Sequence, residues 1–411
     1  MIIGVNGLAI SDQGSGVDHY IQHLLRALLA IDRTNRYLVW LPPGSGAADG
    51  LRAPNLTRIV LSRSAHDPLR QVFWETMLLP AELRRRPVDL FFAPSHTLPP
   101  MIPRETVTAV TVHDLCFLRY PRTKTWRFRA YMRWMVRHAI DNANLVIVDS
   151  EHTRRDVLAF GADADRVVPI HLAAAAGVAV PTAPEEIELV RARYRLRDTV
   201  VLAVGDIEPR KNLERLVEAV AQVRSRLRRR VQLVLTGKGR RGLGRLHRCI
   251  RHHGLDADVV FTGYVPDEEL GALYRCAAVC AYPSLYEGFG MPPLEAMLCG
   301  TPVVASRATS IPEAVGDAGL LFDPYSPAAI ADAIVEVLTN ERLARDLVVR
   351  GAAWARRFSW EQTARATLGA FTSALARNRH PERVTDCASG APSARNRPSS
   401  TLACPPQPHA R

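Results

Sequence analysis

Short runs rich in valine and isoleucine alternate along this chain with longer segments of helical period. The runs lie at 1–6, 37–41, 88–94, 106–114 and 144–150 in the first half, and at 199–206, 231–237, 259–263, 278–284 and 301–306 in the second. Apolar strands separated by amphipathic helices are typical of βαβ units around parallel sheets. The pattern predicts an α/β protein with two doubly wound domains, one in each half.

Two changes in composition divide the 411 residues further. The segment LAAAAGVAVPTAPEE at 172–186 is rich in alanine and proline and has no amphipathic period, which indicates an interdomain linker. After Asn378 large aliphatic residues almost disappear, so the segment cannot bury enough apolar surface to fold. The predicted parts are a first domain at 1–172, a linker region at 173–198, a second domain at 199–358, a helix at 359–378 and a disordered tail at 379–411.

The net charge and the cysteine content limit the kinds of binding partner and the cellular compartment that suit this protein. The chain has 53 basic and 41 acidic residues, a net charge of +12, which favours nucleic acid, a phosphorylated small molecule or an anionic membrane. No apolar run approaches the roughly 20 residues that span a bilayer, and the first ten residues lack the basic flank of a signal peptide, so we expect a cytosolic protein. Seven scattered cysteines without a CxxC pair predict neither a disulfide framework nor a zinc site.

The stretch YEGFGMPPLEAM at 286–297 places Glu287 and Glu295 eight positions apart around a glycine-rich turn. The two prolines indicate the beginning of a helix. The N-terminus of a helix attracts anions, and glycines let a ligand approach the backbone, so a phosphate group is the expected ligand. Glu295 is expected in the first helical turn, where the dipole would keep it ionised to accept hydrogen bonds from a vicinal diol. The alternative is that the glycines only make the turn and the glutamates only cap the helix.

Three other loops follow predicted strands. VGDIEPRKNLERL places Arg210 and Lys211 between a strand and a helix, where a diphosphate is the expected counter-ion and a solvated basic loop the alternative. In the first half the sequence GSG at 14–16 precedes a helix, which suits a phosphate or a plain turn. His113 closes the strand TVTAVTVHD, where it could bind a sugar hydroxyl, act as acid or base, or be structural.

Together these segments resemble the retaining GT-B glycosyltransferases of the family-4 type, which transfer a sugar from a nucleotide diphosphate sugar to an acceptor. The resemblance covers nearly the whole chain before the tail. Its colinear segments are GSGVDHY, VTVHDLCFLRYP, VIVDSEHTRRDV, VGDIEPRKNLERL, FTGYVPDEEL, YEGFGMPPLEAMLCGTPVVAS, IPEAVGDAGLLFDP and FSWEQTA. It implies two Rossmann-like domains that face each other across a cleft, an N-terminal acceptor domain and a C-terminal nucleotide-sugar-binding domain. The helix at 359–378 would cross back onto the first domain.

The resemblance also implies roles for residues at matching positions. Glu295 would bind the ribose hydroxyls, Glu287 would contact the donor sugar, and His113 would reach the sugar near the reacting carbon. The predicted catalytic residues are His113, Glu287 and Lys211, and the predicted donor-binding residues are Gly14, Ser15, Gly16, Arg210, Lys211, Tyr264, Val265, Glu287, Gly288, Phe289, Gly290 and Glu295. Many relatives carry an arginine where this chain has Asp206. Arg210 is therefore expected to supply the second positive charge that binds the diphosphate, beside Lys211.

The expected reaction proceeds with retention of configuration, without a covalent nucleophile, a metal or a cofactor. Cations and helix N–H groups would stabilise the departing diphosphate. Two Asp-x-Asp pairs, at 163–165 and 256–258, precede strands and are interpreted as turns. PRKN and GFGMPPLE look like segments of mannosyltransferases that build surface polysaccharides, so GDP-mannose is the expected donor. A saccharide or lipid-linked saccharide is the expected acceptor.

The segment RTKTWRFRAYMRWMVRHAI at 122–140 has six Lys or Arg residues and no acidic one. Arg129, Arg133 and Arg137 share one helix face because they are spaced by four. Cations beside Trp and Tyr are typical of helices that lie in a membrane interface, so this helix would dock the first domain on the inner face of the cell membrane. The alternative is an ordinary surface helix.

Three other classes of protein are alternatives to the glycosyltransferase, and each would need features of its own in the sequence. A sugar-nucleotide epimerase or a phosphorylase on the same scaffold would need another acid/base set or a cofactor lysine. A nucleic-acid-binding protein would suit the net charge, but the basic residues are spread among acidic ones and no recognised module is present. A Rossmann oxidoreductase would need a GxGxxG loop, which neither half has after its first strand.

Overall fold

The structure is a computed structural model that describes residues 1–10, 16–43, 50–60, 74–120, 125–197, 199–239 and 242–379. Gly14 and Ser15 lie outside the described residues, and so does the predicted tail beyond Arg379.

Seven parallel strands in the described part of the first half form one sheet. They are β1 (Ile2–Asn6), β2 (Arg36–Leu41), β3 (Leu56–Val60), β4 (Leu90–Ala93), β5 (Val107–Val112), β6 (Leu145–Val148) and β7 (Val167–Pro169). Their order is β3-β2-β1-β4-β5-β6-β7. The helices are α1 (Gly16–Ile31), α2 (Leu79–Arg85), α3 (Cys116–Arg119), α4 (Trp126–Asn142) and α5 (Glu151–Ala159), with a π-helical turn at Trp74–Leu78.

A second parallel sheet has six strands within the described part of the second half. They are β8 (Val200–Val204), β9 (Gln232–Thr236), β10 (Val259–Gly263), β11 (Val279–Tyr282), β12 (Val303–Ser306) and β13 (Leu320–Phe322), in the order β10-β9-β8-β11-β12-β13. The helices are α6 (Pro184–Arg193), α7 (Leu213–Leu227), α8 (Leu243–His252), α9 (Asp267–Cys276), α10 (Met291–Leu298), α11 (Ile311–Val315), α12 (Pro327–Thr339), α13 (Glu341–Ala355) and α14 (Trp360–Arg379).

The predicted fold class is confirmed, because both sheets have the strand order of a doubly wound Rossmann-like domain. Every residue of β4, β5, β6, β9, β11 and β12 is buried, which explains their continuous apolar sequences. The sequence analysis missed β3, β7 and β13. These are sheet edges: β3 buries one residue, and β7 and β13 are three residues long, so none shows a long apolar run.

The strand order places two loops together in the second domain. The strand order changes direction between β8 and β11. At such a point the loops after the two neighbouring strands run to opposite sides of the sheet, which opens a crevice at the carboxyl ends of the strands. The loop after β8 contains Arg210 and Lys211, and the loop after β11 contains Glu287. Residues 76 positions apart in sequence therefore meet at one place.

Helix α14 returns to the first domain and packs on α1. Its Phe371 ring lies 5.1 Å from that of Phe92 on β4, and Trp360 donates Nε1–H to the Ala174 carbonyl at 2.9 Å. The region at 173–198, predicted as a linker, contains helix α6, which packs on α9. The two halves are thus joined both by this connection and by the returning helix.

Candidate active site

Two adjacent cations lie in the loop between β8 and α7. Arg210 and Lys211 are on a 3₁₀ turn, and Asn212 holds that turn by donating its amide to the Pro283 carbonyl at 3.1 Å. Gly205 has a φ of 132°, and a Cβ atom there would lie 3.0 Å from Lys211 Nζ. Glycine at this position therefore satisfies the left-handed backbone and leaves room for the lysine.

Both cations pair with one carboxylate. Lys211 Nζ lies 2.7 Å from Glu287 Oε1, and Arg210 Nη1 lies 2.6 Å from Glu287 Oε2. Lys211 also donates to the Tyr282 hydroxyl at 3.1 Å and lies 4.9 Å from the centroid of that ring. Lys211 and Glu287 are buried, so the pair is shielded from bulk water.

This pairing controls the charge of Glu287. Burial by itself would raise the pKa of Glu287, but the positive charges of Arg210 and Lys211 lower it to about 2. Burial lowers the pKa of Lys211, and the Glu287 carboxylate opposes that shift. Because an arginine stays protonated in proteins, Glu287 always has a counter-charge. The site therefore holds an ionised carboxylate whose two partners are also the cations predicted to bind a diphosphate.

In the glycine-rich loop at 287–290, the carbonyl groups accept hydrogen bonds from side chains outside the loop. Ser310 donates at 2.9 Å to the carbonyls of residues 287 and 289, and Thr153 of the first domain donates at 3.2 Å to that of Gly288. The N–H groups of residues 288–290 have no acceptor within the part of the chain that the structure describes. Consecutive backbone N–H groups without acceptors are available as donors to an anion.

Helix α10 begins at Met291, so Glu295 lies in its second turn and the prediction of the first turn is wrong. Pro292 and Pro293 have no N–H, so the first turn of the helix offers few donors, and the loop before it supplies them instead. Burial raises the pKa of Glu295, while a hydrogen bond from Tyr274 opposes that shift. Burial, and not the expected dipole, is thus the main influence on the charge of this carboxyl.

The two oxygens of Glu295 have different partners. The Tyr274 hydroxyl donates to Oε2 at 2.9 Å, and the Ala175 N–H donates to Oε1 at 3.4 Å. Ala175 belongs to the connection between the domains, so the carboxyl lies where that connection meets α10. A carboxylate has about four acceptor positions, so each oxygen retains capacity for a ligand hydroxyl.

His113, just after β5, has partners for both ring nitrogens. Nδ1 lies 2.8 Å from Asp149 Oδ2, and Nε2 lies 3.0 Å from the Pro94 carbonyl oxygen. The Pro94 carbonyl can only accept, so Nε2 donates its hydrogen, and Nδ1 is held by the carboxyl group of Asp149. Burial alone would lower the pKa of His113, but Asp149 raises it above its ordinary value. Neither ring nitrogen is therefore open to a ligand in this arrangement.

The two domains touch at the glycine-rich loop. Gly288 lies against the backbone of His113, and a Cβ atom at this position would overlap the His113 carbonyl oxygen. Glu313 on α11 accepts hydrogen bonds, each 2.8 Å long, from the N–H groups of Glu151 and His152 at the beginning of α5. Glu313 thereby caps a helix of the first domain from the second domain. The cleft is closed in this structure at the point where the predicted site residues lie.

Comparison with known proteins decides the family. The model for Glycosyltransferase Family 4 matches residues 14–173, and the model for glycosyl transferases group 1 matches residues 187–354. The chain is 34% identical over 284 residues to O-antigen chain mannosyltransferase B of Escherichia coli, which covers 69% of this chain and 74% of the relative. The chain belongs to the family-4 glycosyltransferases.

Another glycosyltransferase and several solved structures are also similar to it. D-inositol 3-phosphate glycosyltransferase of Corynebacterium efficiens is 34% identical over 240 residues, 55% of each chain. The crystal structure of HepE from Anabaena in complex with UDP and glucose has a TM-score of 0.70 at 22% identity, covering 91% of this chain and 100% of HepE. WaaG, a glycosyltransferase involved in lipopolysaccharide biosynthesis, has a TM-score of 0.67 at 16% identity, covering 89% and 98%. These structural likenesses show the GT-B fold.

As a family-4 glycosyltransferase, the protein transfers a sugar from a nucleotide-sugar donor to a saccharide acceptor. The alternative classes weighed above, an epimerase or phosphorylase, a nucleic-acid-binding protein and an oxidoreductase, are not favoured.

The remaining predicted donor-binding residues within the described ranges lie on other elements. Gly16 begins α1 and is exposed, and Tyr264 and Val265 directly follow β10. The side chain of Lys238 lies 5.0 Å from the centroid of the Tyr264 ring. Asp206, which replaces the arginine of many relatives, accepts a hydrogen bond from the Lys238 N–H at 3.2 Å. Asp206 therefore supports the loop after β9, while Arg210 lies at the carboxylate that Lys211 also binds.

Several residues that build the site were missed by the sequence analysis. They are Thr153, Tyr274, Ser310 and Glu313, each a single polar residue in a helix or at its start. No sequence motif identifies such residues, because their hydrogen-bond partners lie in other helices, strands or loops. Both Asp-x-Asp pairs have structural roles: Asp163 caps a 3₁₀ turn, and Asp258 accepts hydrogen bonds from Arg197 and Arg224.

Proposed function

We propose that this glycosyltransferase is retaining and metal-independent, and that it transfers mannose from GDP-mannose to a saccharide or lipid-linked saccharide in polysaccharide or lipopolysaccharide synthesis. The observation that carries the proposal is the convergence of Lys211, Arg210 and the N–H groups of residues 288–290 in the crevice beside β8 and β11. Preorganised cations and N–H dipoles at one point stabilise the charge that develops on a departing diphosphate.

Each residue has a role in this proposal. Lys211 and Arg210 bind the diphosphate, Glu287 orients both cations and contacts the donor sugar, and Glu295 binds the ribose hydroxyls. The base lies beside Tyr264 and Val265, and the Gly14, Ser15 and Gly16 loop approaches the phosphates from the first domain. His113, charged and held by Asp149, supplies positive charge at the cleft and does not act as a base.

In the proposed reaction the bond between the anomeric carbon and the diphosphate oxygen breaks, and its electron pair leaves with the diphosphate. The acceptor oxygen forms its bond to the anomeric carbon on the same face of the sugar. The acceptor's proton passes to the departing diphosphate, so no separate base and no covalent nucleophile is needed. Lys211 and Arg210 supply the charge neutralisation that a metal ion provides in other transferases.

The choice of mannose follows from the relatives. Besides O-antigen chain mannosyltransferase B, the serotype-specific mannosyltransferase WbdA of Escherichia coli is 34% identical over 239 residues. That alignment covers 57% of this chain but only 29% of WbdA. Both relatives are named as mannosyltransferases, and GDP-mannose is therefore the first donor to test.

The proposed donor is tested by thermal unfolding with GDP, UDP, ADP or dTDP. A ligand that binds only the folded state stabilises it by about 2.7 kcal/mol at a hundredfold excess over its Kd, which raises Tm by several degrees. We expect GDP to give the largest shift. In Glu295→Gln the shift should fall sharply, because a neutral amide is a weaker acceptor for the ribose diol.

The matched control is Glu336→Gln, which changes an exposed glutamate on α12 of the same domain and should leave the GDP shift intact. A shift with UDP, ADP or dTDP alone would replace the proposed donor. An undiminished GDP shift in Glu295→Gln would contradict the ribose contact.

We also propose that the first domain docks on anionic lipid through α4. Trp126 and Trp134 on this helix are 71% and 57% exposed, and Arg133 is exposed between them. Of the other predicted membrane-facing residues, Arg129 is half-buried, and Arg137 is exposed but pairs with Asp141 at 2.8 Å. No helix among the described residues is long and apolar enough to cross a bilayer.

The double variant Arg127→Glu/Arg133→Glu tests this docking. Each arginine near an anionic surface contributes about 1 kcal/mol, so removing two should weaken binding to phosphatidylserine-containing vesicles by about 30-fold or more. Co-sedimentation with such vesicles measures the change, and the GDP shift should be unaltered. Arg226→Glu/Arg345→Glu, on exposed helices of the second domain, is the control. Equal vesicle binding by both double variants would contradict the docking.

A further inference from the structure

Two histidines of the first domain face an aspartate of the second. His19 and His23 are one helical turn apart on α1 and therefore share a face of that helix. Asp267 is the first residue of α9. One ring nitrogen from each histidine and one carboxylate oxygen lie within 4.8 Å of one another. Residues of two domains, separated by more than half of the chain, thus converge at one point.

The three side chains are half-buried. Neither histidine ring nor the Asp267 carboxylate has a hydrogen bond to another residue in the described ranges. The His23 ring is nevertheless held in place, because it stacks on Trp360 with centroids 5.1 Å apart and planes inclined by 21°. Within the described residues, no protein hydrogen bond therefore competes with a ligand for these three side chains.

We propose that His19, His23 and Asp267 bind one Zn²⁺-like transition-metal ion that links the two domains. Imidazole nitrogens and one carboxylate oxygen match the ligand preference of zinc, cobalt and nickel, whereas calcium and magnesium prefer oxygen ligands alone. Zinc binds such ligands at about 2.0–2.1 Å, so the three atoms, which lie within 4.8 Å of one another, need to draw closer around the ion. Three protein ligands leave a fourth position of a tetrahedral ion for water.

The charges near the cluster suit a dication. Exposed Glu268 is adjacent to Asp267, and buried Asp18 is adjacent to His19. Arg26, one turn beyond His23, is the cation whose charge acts on both Asp267 and His23. Carboxylates therefore outnumber the nearby arginine, and a bound dication would offset the excess negative charge.

The location gives the ion a mechanical consequence. Helix α9 packs on α10, which carries Glu295, and α1 packs on the returning helix α14. An ion shared by α1 and α9 would hold the cleft closed on the side of the proposed nucleotide site. This role is separate from catalysis, because the proposed leaving-group stabilisation uses Lys211 and Arg210. The inference does not depend on which sugar the enzyme transfers.

Metal binding to the full chain, freed of metal with a chelator, tests the proposal. Titration calorimetry with Zn²⁺ should show a tight site, and Co²⁺ should give the visible absorption of four-coordinate nitrogen and oxygen ligation. His19→Gln, His23→Gln and Asp267→Asn should each weaken this site by at least about 10- to 100-fold, the loss that follows even from removing a supporting partner of a ligand. Zn²⁺ should also raise Tm in the wild type more than in the variants.

The matched control is His252→Gln/His253→Gln, which removes a histidine pair whose rings are 5.0 Å apart but which belongs to no metal-binding group among the described residues. This control should bind Zn²⁺ as the wild type does. Loss of binding in the histidine variants with unchanged binding in Asp267→Asn would overturn the interdomain link. Equal binding in all variants, or a cobalt–thiolate absorption band that indicates a cysteine site, would overturn the assignment to this cluster. Far-ultraviolet circular dichroism and the Tm in the absence of metal show that each variant is folded.

Discussion

Replacement of Lys211 by methionine is expected to lower kcat/KM by about 10²–10³-fold, which is the usual loss when one preorganised donor to a developing anion is removed. Methionine keeps the unbranched side chain and much of its volume, so the pocket formed by Gly205 and Tyr282 stays filled. What disappears is the charge 2.7 Å from Glu287 and its hydrogen bond to Tyr282. Steady-state transfer from GDP-mannose to an acceptor saccharide measures the effect.

The fold of this variant must be checked separately. Removal of one partner of a buried ion pair often costs about 3–5 kcal/mol, but Glu287 retains Arg210 at 2.6 Å in this case. Thermal unfolding therefore accompanies the kinetics. Arg226→Met, which breaks an exposed ion pair with Asp332 in the same domain, is the control and should keep full activity. A folded Lys211→Met enzyme with nearly normal kcat/KM would contradict the assignment of Lys211 to the leaving group.

Replacement of Gly288 by alanine is expected to lower kcat/KM by about 100-fold, through the geometry of the cleft and not through lost chemistry. The φ of Gly288 is outside the left-handed region, so alanine adds no backbone strain. Its Cβ, however, would overlap the carbonyl oxygen of His113 across the cleft. The domains would have to separate slightly, and displacements of about 1 Å at a reacting centre cost rates of this size.

Gly244→Ala is the matched control, because this glycine lies in α8 and an added Cβ meets nothing within 4 Å. It should leave activity unchanged and slightly favour the helix. The GDP shift of Gly288→Ala should be reduced but not abolished, since Glu295 keeps its ribose contact while the N–H groups of residues 288–290, which are proposed to bind the diphosphate, are displaced. Normal kcat/KM in Gly288→Ala would show that the contact with His113 is not part of the catalytic arrangement.

The expectations from sequence were most accurate where local chemistry alone decides. The buried central strands stand out because a strand covered on both faces must be apolar along its length. The loops after β8 and β11 stand out because glycines, cations and carboxylates gather in a few consecutive positions. Edge strands such as β3 and β13 were missed, because one buried residue or a three-residue strand leaves almost no pattern.

The expectations were least accurate where the environment decides the state of a side chain. Glu295 was placed in a first helical turn and assumed to be ionised by the dipole, but the helix begins one residue earlier and burial dominates its pKa. For His113 the sequence left a sugar contact, acid or base chemistry and a structural role open, and only the structure shows that Asp149 and the Pro94 carbonyl occupy both of its ring nitrogens. Burial and distant partners are properties of packing, and no short stretch of sequence contains them.

The sequence by itself determined the two doubly wound domains, the family, and the segments that carry the site, because periodicity, turn residues and short charged motifs are local. Only the tertiary structure decided that Lys211 and Arg210 share the carboxylate of Glu287, that Gly288 lies against His113, and that His19 and His23 face Asp267. These are contacts between residues far apart in the chain. Their geometry follows from the order in which strands pair and from how two domains close, and neither is specified by any single segment.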